Sequence, residues 1–223
     1  ELNPSYVTAH RWYGHLLSNL GRHEESAAEM RKARLVDPLS PIIHGLSGHL
    51  RYQARDYDRA LEHLQNALAL NSNLWVLHTW LARIYERKGM LEEAMREFQE
   101  AFDLSGGNME TISLKGYIHA KSGNRAEAEK AIRVLTELSA QKYVPPYNIA
   151  MVYAGLNEVE SVLCWLEKAY ETRDVRLTFL AVEPKWDFMR GHPQFLDLLG
   201  RLALPAKIEG GAAAGGDNAG AVK

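Results

Sequence analysis

The chain has 223 residues, of which 46% are hydrophobic and 24% charged, and its 26 Lys and Arg residues are balanced by 28 Asp and Glu residues. These values exclude bulk disorder and an overall basic surface, so we expect no direct binding of nucleic acid. Cys164 is the only cysteine, which excludes an internal disulfide and favours a reducing, cytoplasmic location. No apolar run approaches the roughly 20 residues that span a bilayer, so we expect no membrane contact.

The first predicted elements are two short amphipathic helices separated by a glycine. Apolar residues recur at helical spacing from Val7 to Asn19, Gly21 interrupts them, and the pattern resumes from His23 to Val36. This predicts a helix–turn–helix unit. The same turn position holds Gly89 and Gly123 in later units, where glycine accepts the left-handed backbone of a helix end. At that position Arg55 and Asn157 lack this glycine signal.

The unit recurs five times with a period of 34 residues and no insertion. Three columns of mostly small residues and one column of larger apolar residues keep this register. The columns are Gly14, Gly48, Ala82, Gly116 and Ala150; Ser26, Ala60, Ala94, Ala128 and Val162; Ala33, Ala67, Ala101, Leu135 and Ala169; and Met30, Leu64, Phe98, Ile132 and Leu166. Small residues let helices approach closely and the larger residues fill the adjacent space, so each pair is expected to stack on the next.

The 34-residue period and the third unit, with Leu81-Ala82, Tyr85, Ala94, Phe98 and Ala101, resemble the tetratricopeptide repeat. The resemblance covers Val7 to Arg176, although His10, His44, His78, Ile112 and Pro146 replace the consensus Trp. It implies an all-α fold, a right-handed α-solenoid of five in-phase 34-residue helix–turn–helix repeats followed by a C-terminal helical cap. A generic helical bundle, which needs no fixed period, is the alternative.

The predicted organisation follows this period. The units are the end of a preceding repeat at 1–6, repeats at 7–40, 41–74, 75–108, 109–142 and 143–176, cap helices at 177–204 and a flexible Gly/Ala-rich tail at 205–223. The preceding repeat is predicted because Leu2-Asn3-Pro4 has the phase of Val36-Asp37-Pro38. The cap is predicted as one helix pair, over 175–182 and 194–202, around Pro184 and Trp186.

The C-terminal units suggest a narrower resemblance. The segments Tyr143-Val144-Pro145-Pro146-Tyr147 and Glu183-Pro184-Lys185-Trp186-Asp187 are similar to repeat arrays at the C-terminus of bacterial regulatory proteins. In those proteins the array commonly follows a winged-helix DNA-binding domain, a protein kinase or a nucleotide cyclase. The resemblance implies an alternative function as a regulatory, sensor or oligomerisation arm.

Candidate chemical groups favour packing over catalysis. His10, His44 and His78 share one repeat position, but side chains related by translation do not converge as metal ligands must, so we expect neither a metal site nor a cofactor. Cys164 is predicted to be a buried or half-buried structural thiol. The sequence contains no recognisable nucleophile–base set or phosphate loop, so we expect no enzymatic activity.

The resemblance places the first helix of each repeat along a concave groove. The groove residues that it implies are Arg11, His15, His49, Tyr52, Arg83, Arg87, Tyr117 and Lys121. Cations there outnumber Glu86 and Glu110, which predicts a protein or acidic peptide partner held by charge-assisted hydrogen bonds. The predicted function is a non-catalytic protein–protein interaction scaffold in signalling. A solvated helix face is the alternative interpretation.

Overall fold

A computed structural model describes residues 6–206, and the regular elements in that range are eleven α-helices and two 3₁₀-helices. The α-helices are α1 (Val7–Asn19), α2 (His23–Val36), α3 (Pro41–Gln53), α4 (Tyr57–Leu70), α5 (Trp75–Arg87), α6 (Leu91–Ser105), α7 (Met109–Lys121), α8 (Arg125–Ser139), α9 (Pro146–Gly155), α10 (Val159–Glu171) and α11 (Pro193–Arg201). The 3₁₀-helices, Val175–Phe179 and Pro184–Met189, lie between α10 and α11.

The helices pack as successive antiparallel pairs, from α1 with α2 to α9 with α10. The first helices of neighbouring pairs also contact one another, as α3 does with α5 and α7 with α9. We call the surface that α1, α3, α5, α7 and α9 share the first-helix face. The predicted all-α array of helix pairs is confirmed, whereas its exact division into 34-residue units stays a prediction.

The repeat columns form the contacts between helices. Every residue of the four columns is buried except Ile132, which is partly buried. A Cβ atom built on Gly48 would lie 2.1 Å from Leu64 Cδ2 and 2.9 Å from the Ala60 carbonyl oxygen, so α3 and α4 approach closely only because this position has no side chain. The small residues therefore set the helix spacing, as the period predicts.

All five turns within the helix pairs use a left-handed residue at the same repeat position. Gly21, Gly89 and Gly123 have φ angles of 76°, 77° and 79°. Arg55 and Asn157 adopt the same conformation, with φ angles of 64° and 58°, although neither is glycine. Asn tolerates this region, whereas Arg is held there against its preference. The repeat phase, rather than glycine itself, thus locates the turns.

The predicted cap differs from the structure in its first helix. The predicted second helix is present as α11, but residues 175–182 form only one 3₁₀ turn, and the second 3₁₀-helix follows it. The three consecutive residues Leu180, Ala181 and Val182 are all fully buried. An amphipathic α-helix buries only one face, so it would expose at least part of such a run. We call residues 175–190 the groove segment, for the position described below.

Two predictions lie mainly outside the described residues. The end of a preceding repeat was assigned to residues 1–6, of which only Tyr6 is described, and the flexible tail to 205–223, of which only 205 and 206 are described. Among the helices of residues 6–206, none combines the length and the apolar character needed to cross a membrane.

Candidate functional site

The groove segment lies across the first-helix face and contacts side chains from several first helices. Tyr52 of α3 donates a hydrogen bond to Glu183 Oε1 at 2.5 Å, and the indole Nε1 of Trp186 donates to the Tyr147 hydroxyl of α9 at 2.8 Å. Where the first-helix face begins, at α1, the ring of Phe179 stacks on the ring of His15 with 5.5 Å between the ring centroids. The groove that the sequence assigns to a partner is thus covered in part by the chain's own C-terminal region.

A buried cluster of charges fixes the centre of this segment. Glu183 and Lys185 are 2% and 3% exposed. Arg83 Nη1 donates to Glu183 Oε2 at 3.2 Å, and Lys185 Nζ lies 3.4 Å from Glu86 Oε2. Burial alone would raise the pKa of Glu183, but Lys185 and Arg83 outweigh it and hold that pKa at about 2. The carboxylate is therefore ionised and paired at neutral pH.

Two arginines donate hydrogen bonds to backbone carbonyl groups of the groove segment. Arg55 Nη1 donates to the Val182 carbonyl at 2.7 Å and Arg55 Nη2 to Asp187 Oδ1 at 2.6 Å. Arg190 Nη1 donates to the Ala181 carbonyl at 2.6 Å. These bonds satisfy the carbonyl groups of Ala181 and Val182, which would have no intrahelical partner even at the C-terminal end of the predicted helix.

Beside the groove segment the first-helix face remains open as a pocket of about 320 Å³. Its lining comes from all five first helices and from the groove segment. The lining residues are His15, Leu46, His49, Val76, Trp80, Arg83, Glu110, Tyr147, Asn148, Met151, Val175, Arg176, Phe179 and Glu183. Seven of these residues are apolar or aromatic and the other seven are polar or charged, so the pocket can contact both apolar and polar groups of a ligand.

Several polar atoms of the lining are buried and have no hydrogen-bond partner within residues 6–206. They are His15 Nε2, His49 Nδ1, Arg83 Nε and Asn148 Nδ2. Burial is the main reason why the pKa values of His15 and His49 lie below the usual value, with Arg11 and Arg83 respectively adding repulsion. Both rings are therefore neutral at pH 7. Unpaired buried polar atoms are costly, which makes this pocket the strongest candidate site.

The structure separates the eight predicted groove residues into three sets. His15, His49 and Arg83 line the pocket, whereas Tyr52 and Tyr117 lie against the groove segment, with Lys185 Nζ 5.4 and 5.1 Å from their ring centroids. The remaining three residues neither line the pocket nor take part in the contact with Lys185. Arg11 lies over the ring of Trp12, Arg87 Nη1 is 3.9 Å from Glu86 Oε1, and Lys121 is exposed.

The sequence interpretation omitted several pocket residues. Asn148 continues the 34-residue column of Leu46 and Trp80, and Met151 continues the column of His49 and Arg83, so extending the columns would have found both. Phe179 and Glu183 belong to no repeat column. Only the folded chain shows that they lie on this face.

The structure also shows the surroundings of His78 and of Cys164. Both ring nitrogens of His78 contact acceptors, Glu97 Oε2 at 2.7 Å and the Ser72 carbonyl at 2.8 Å, and the bond to Glu97 is the main cause of its raised pKa. Across residues 6–206 no three His, Cys, Asp or Glu side chains are grouped to hold a metal ion. Cys164 is exposed, so the prediction of a buried or half-buried thiol is wrong: its position on α10 faces away from the core residues Val162 and Leu166.

Comparison with known proteins supports the repeat assignment. Residues 51–101 and 9–38 match sequence models of the tetratricopeptide repeat. Cell division cycle protein 27 homolog A of Arabidopsis thaliana is 27% identical over 121 residues, which are 53% of this chain and 16% of that protein. Tetratricopeptide repeat protein 13 of Homo sapiens is 33% identical over 86 residues, or 39% of this chain and 10% of that protein. The chain thus spans only a small part of the length of these relatives.

Solved structures share the fold. TTC0263, a thermophilic tetratricopeptide repeat protein of Thermus thermophilus, is 20% identical with a TM-score of 0.60, and the match covers 88% of this chain and 97% of that one. A chain of the APC/C hetero-tetramer Cut9–Hcn1 is 20% identical with a TM-score of 0.59, covering 89% and 36%. Residues 9–38 and 51–101 are thus similar to the tetratricopeptide repeat, and the solved structures share the fold of packed helix pairs. None of these names mentions a winged-helix domain, kinase or cyclase, so the similarity to bacterial regulators stays a prediction.

Proposed function

We propose that the chain is a non-catalytic protein-interaction module that binds a segment of a partner protein in the pocket beside the groove segment. The observation that carries this proposal is the pocket itself. It combines apolar walls such as Trp80 and Met151 with buried polar atoms that lack partners. Side chains from five separate helices converge there, as is usual where a repeat array presents a binding surface.

The groove segment is a fixed wall of this site rather than an occupant that a partner displaces. Trp186, Leu180 and Val182 are fully buried in the largest hydrophobic cluster. Exposing side chains of this kind costs about 1.5–3 kcal/mol each. A partner would have to offset that cost together with the buried ion pairs of Glu183 and Lys185. We therefore place the partner beside the segment, where the pocket is already open.

The sequence predicts an acidic partner. Binding such a partner requires positive charge in the pocket that is not already neutralised by acidic residues of the chain. The pocket lining contains Arg83 and Arg176, but Glu110 and Glu183 line it as well. Glu183 comes from the groove segment, which the sequence interpretation did not place here. The proposal therefore keeps a protein segment as the ligand and does not require that it be acidic.

The test is to block the pocket and to follow partner binding. Val76 lines the pocket and is partly exposed, so Val76→Arg should fill the opening without disturbing the core. The matched control is Val36→Arg, because Val36 is 43% exposed and lies outside the pocket lining. Affinity capture with the wild type and both variants should show partners that only Val76→Arg fails to retain. Retention of every partner by Val76→Arg, with an unchanged circular dichroism spectrum, would contradict the proposal.

A further inference from the structure

A smaller pocket lies where the first helix pair meets the second. It has a volume of about 20 Å³, and its lining comes from α2, α3 and α4. Basic and hydroxyl side chains are prominent in this lining: His23, Ser26, Arg34, Ser47, Arg51 and His63. Within residues 6–206 no carboxylate lines it, and it shares no residue with the pocket on the first-helix face. We call it the junction pocket.

The repeat columns show that polar side chains are unusual at such a junction. Five of the lining positions are His23, Ala27, Arg34, Ser47 and Arg51. One repeat later, between the second and third helix pairs, the same positions hold Tyr57, Leu61, Leu68, Leu81 and Tyr85. Those five residues belong to one hydrophobic cluster or pack against it. The first junction therefore lacks apolar packing that the next junction has, and such departures are expected at functional sites.

Arg34 carries hydrogen-bond donors that are unused and open to solvent. Its Nη1 donates to Ser47 Oγ at 2.6 Å, and Ser47 Oγ donates in turn to the Ile43 carbonyl at 2.8 Å. The guanidinium group is thus held against α3. Its Nε and Nη2 form no hydrogen bond or ion pair with residues 6–206, and both atoms keep solvent-accessible surface. A ligand at the mouth of the junction pocket can therefore reach them.

His63 and Arg51 add donors from two further helices. Nδ1 of His63 is buried, but Nε2 keeps accessible surface and has no hydrogen-bond partner in the described part of the chain. Arg51 Nη1 lies 3.6 Å from Asp56 Oδ2 and 3.7 Å from Glu24 Oε1, distances that are too long for hydrogen bonds. The Glu24 side chain is 84% exposed, so it competes weakly with a ligand for this arginine.

The positive charges of the junction pocket repel one another. The pKa of Arg34 is lowered, first by burial and then by repulsion from Arg31 and Arg51. Burial, followed by repulsion from Arg34, also lowers the pKa of His63, to about 4. Its ring is therefore neutral at pH 7 and can donate one hydrogen bond without a charge of its own. An anion bound here would relieve the repulsion between the two lining arginines.

We propose that the junction pocket binds a tetrahedral oxyanion of the phosphate class, with one oxygen in the pocket and the others on Arg34, Arg51 and His63. A volume of about 20 Å³ accommodates one oxygen atom, since a water molecule needs about 10–15 Å³. Two guanidinium groups match the charge of about −1.5 to −2 that a phosphate monoester carries at pH 7. A carboxylate has two oxygens and a single charge, so it would leave one arginine unmatched.

The experiment uses the full chain and inorganic phosphate at pH 7, with sodium chloride adjusted to keep the ionic strength constant. Binding is followed by the NMR signal of the His63 Cε1–H, assigned with the His63→Gln variant. A saturable shift with a Kd on the order of 1 mM is expected for so small a ligand. N-acetyl-O-phosphoserine N-methylamide is the second probe. Tighter binding than phosphate would identify a phosphorylated side chain as the source of the anion, and equal or weaker binding would identify the free anion.

The titration of His63 provides a second readout on the wild type. A bound dianion favours the protonated ring, so the midpoint of this titration should move to higher pH when the anion is present. Sulfate is the probe here because it stays a dianion across the titration. The other charged groups that act on the ring are Arg34, His44, Arg51 and Asp56, and they are the same in both samples. An unchanged midpoint at saturating sulfate would contradict the inference.

Variants connect the shift to the proposed contacts. Arg34→Leu removes the central donors and introduces the residue type that Leu68 supplies one repeat later, so phosphate binding should weaken at least about tenfold in a folded protein. The matched control is Arg31→Leu, at an exposed position of the same helix outside the lining, which should change the Kd less than about threefold. Ala27→Leu keeps both arginines and fills the opening, as Leu61 does in the next repeat, and should abolish the shift.

Three further results would overturn the inference: no saturable shift up to about 50 mM phosphate, full binding to a folded Arg34→Leu or Ala27→Leu variant, or equal weakening by Arg31→Leu and Arg34→Leu. The last result would mean diffuse attraction rather than a site. Circular dichroism establishes that each variant is folded, and the two wild-type readouts need no variant. None of these results depends on partner binding beside the groove segment, so the inference and the proposed function can fail separately.

Discussion

Glu183 shows how a single residue couples the groove segment to the repeats. Its carboxylate is ionised in a buried position because Tyr52, Arg83 and Lys185 all contact it. A buried ion pair adds little net stability relative to an apolar replacement, but the loss of one member leaves the others uncompensated. The energetic importance of Glu183 therefore lies in what its removal would leave behind.

Glu183→Gln is expected to lower the free energy of unfolding by about 3 kcal/mol at pH 7, since Arg83 and Lys185 lose a buried counter-charge. The folded-state pKa of about 2 lies below the ordinary value of 4.5, so the contribution of Glu183 is complete above pH 4.5 and disappears as the pH falls toward 2. Urea denaturation between pH 7 and pH 2.5 should show the wild type and the variant converging in acid. The control is Glu25→Gln, at an exposed carboxylate paired with Arg22, which should stay close to the wild type throughout. A constant difference down to pH 2.5 would exclude this role.

At the scale of elements, the repeat helices could be predicted from the sequence and the groove segment could not. The 34-residue columns report contacts between neighbouring helices, which recur in every unit and therefore leave a periodic trace. The bond of Tyr52 to Glu183 joins residues 131 positions apart and occurs once. Such a contact has no period and no local spacing, so the same reasoning that located α1 to α10 assigned residues 175–182 to a helix. The site was predicted only where it follows the columns, as at His49 and Arg83.

The second 3₁₀-helix contains two aromatic residues, one buried and one exposed, so a comparison of the two shows what burial contributes to stability. Trp186 is fully buried and donates a hydrogen bond to Tyr147, whereas Phe188 is 44% exposed. Trp186→Ala should lower the free energy of unfolding by about 3–5 kcal/mol, because it leaves a cavity and an unpaired hydroxyl. Phe188→Ala should cost less than about 1 kcal/mol. Urea denaturation followed by circular dichroism measures both, and equal losses would mean that the groove segment does not anchor through Trp186.

For the whole molecule, the groove segment changes how stability is distributed. A simple repeat array is stabilised by contacts between adjacent units, so its ends open independently. Here Arg55 in the turn after α3 holds Val182 and Asp187, and Glu183 and Lys185 reach side chains on α3 and α5. The C-terminal region is thus bonded to the second and third helix pairs as well as to its neighbour in sequence. The contact with α1 is a ring stack of Phe179 on His15.

This arrangement predicts that α3 and α4 open with nearly the same free energy as α9, while α1 and α2 open more easily. Native-state hydrogen exchange measures these free energies directly. Arg55→Asn should lower the opening free energy of α3 and α4 by about 1–3 kcal/mol, because it removes the bonds to Val182 and Asp187. Asn keeps the left-handed turn, as Asn157 does at the equivalent position. Gly89→Asn introduces the same residue at the matching turn after α5. Among residues 6–206 this turn has no hydrogen bond or ion pair with the groove segment, so the variant should leave the order of opening unchanged. If Arg55→Asn leaves α3 and α4 as protected as before, the groove segment does not link distant repeats.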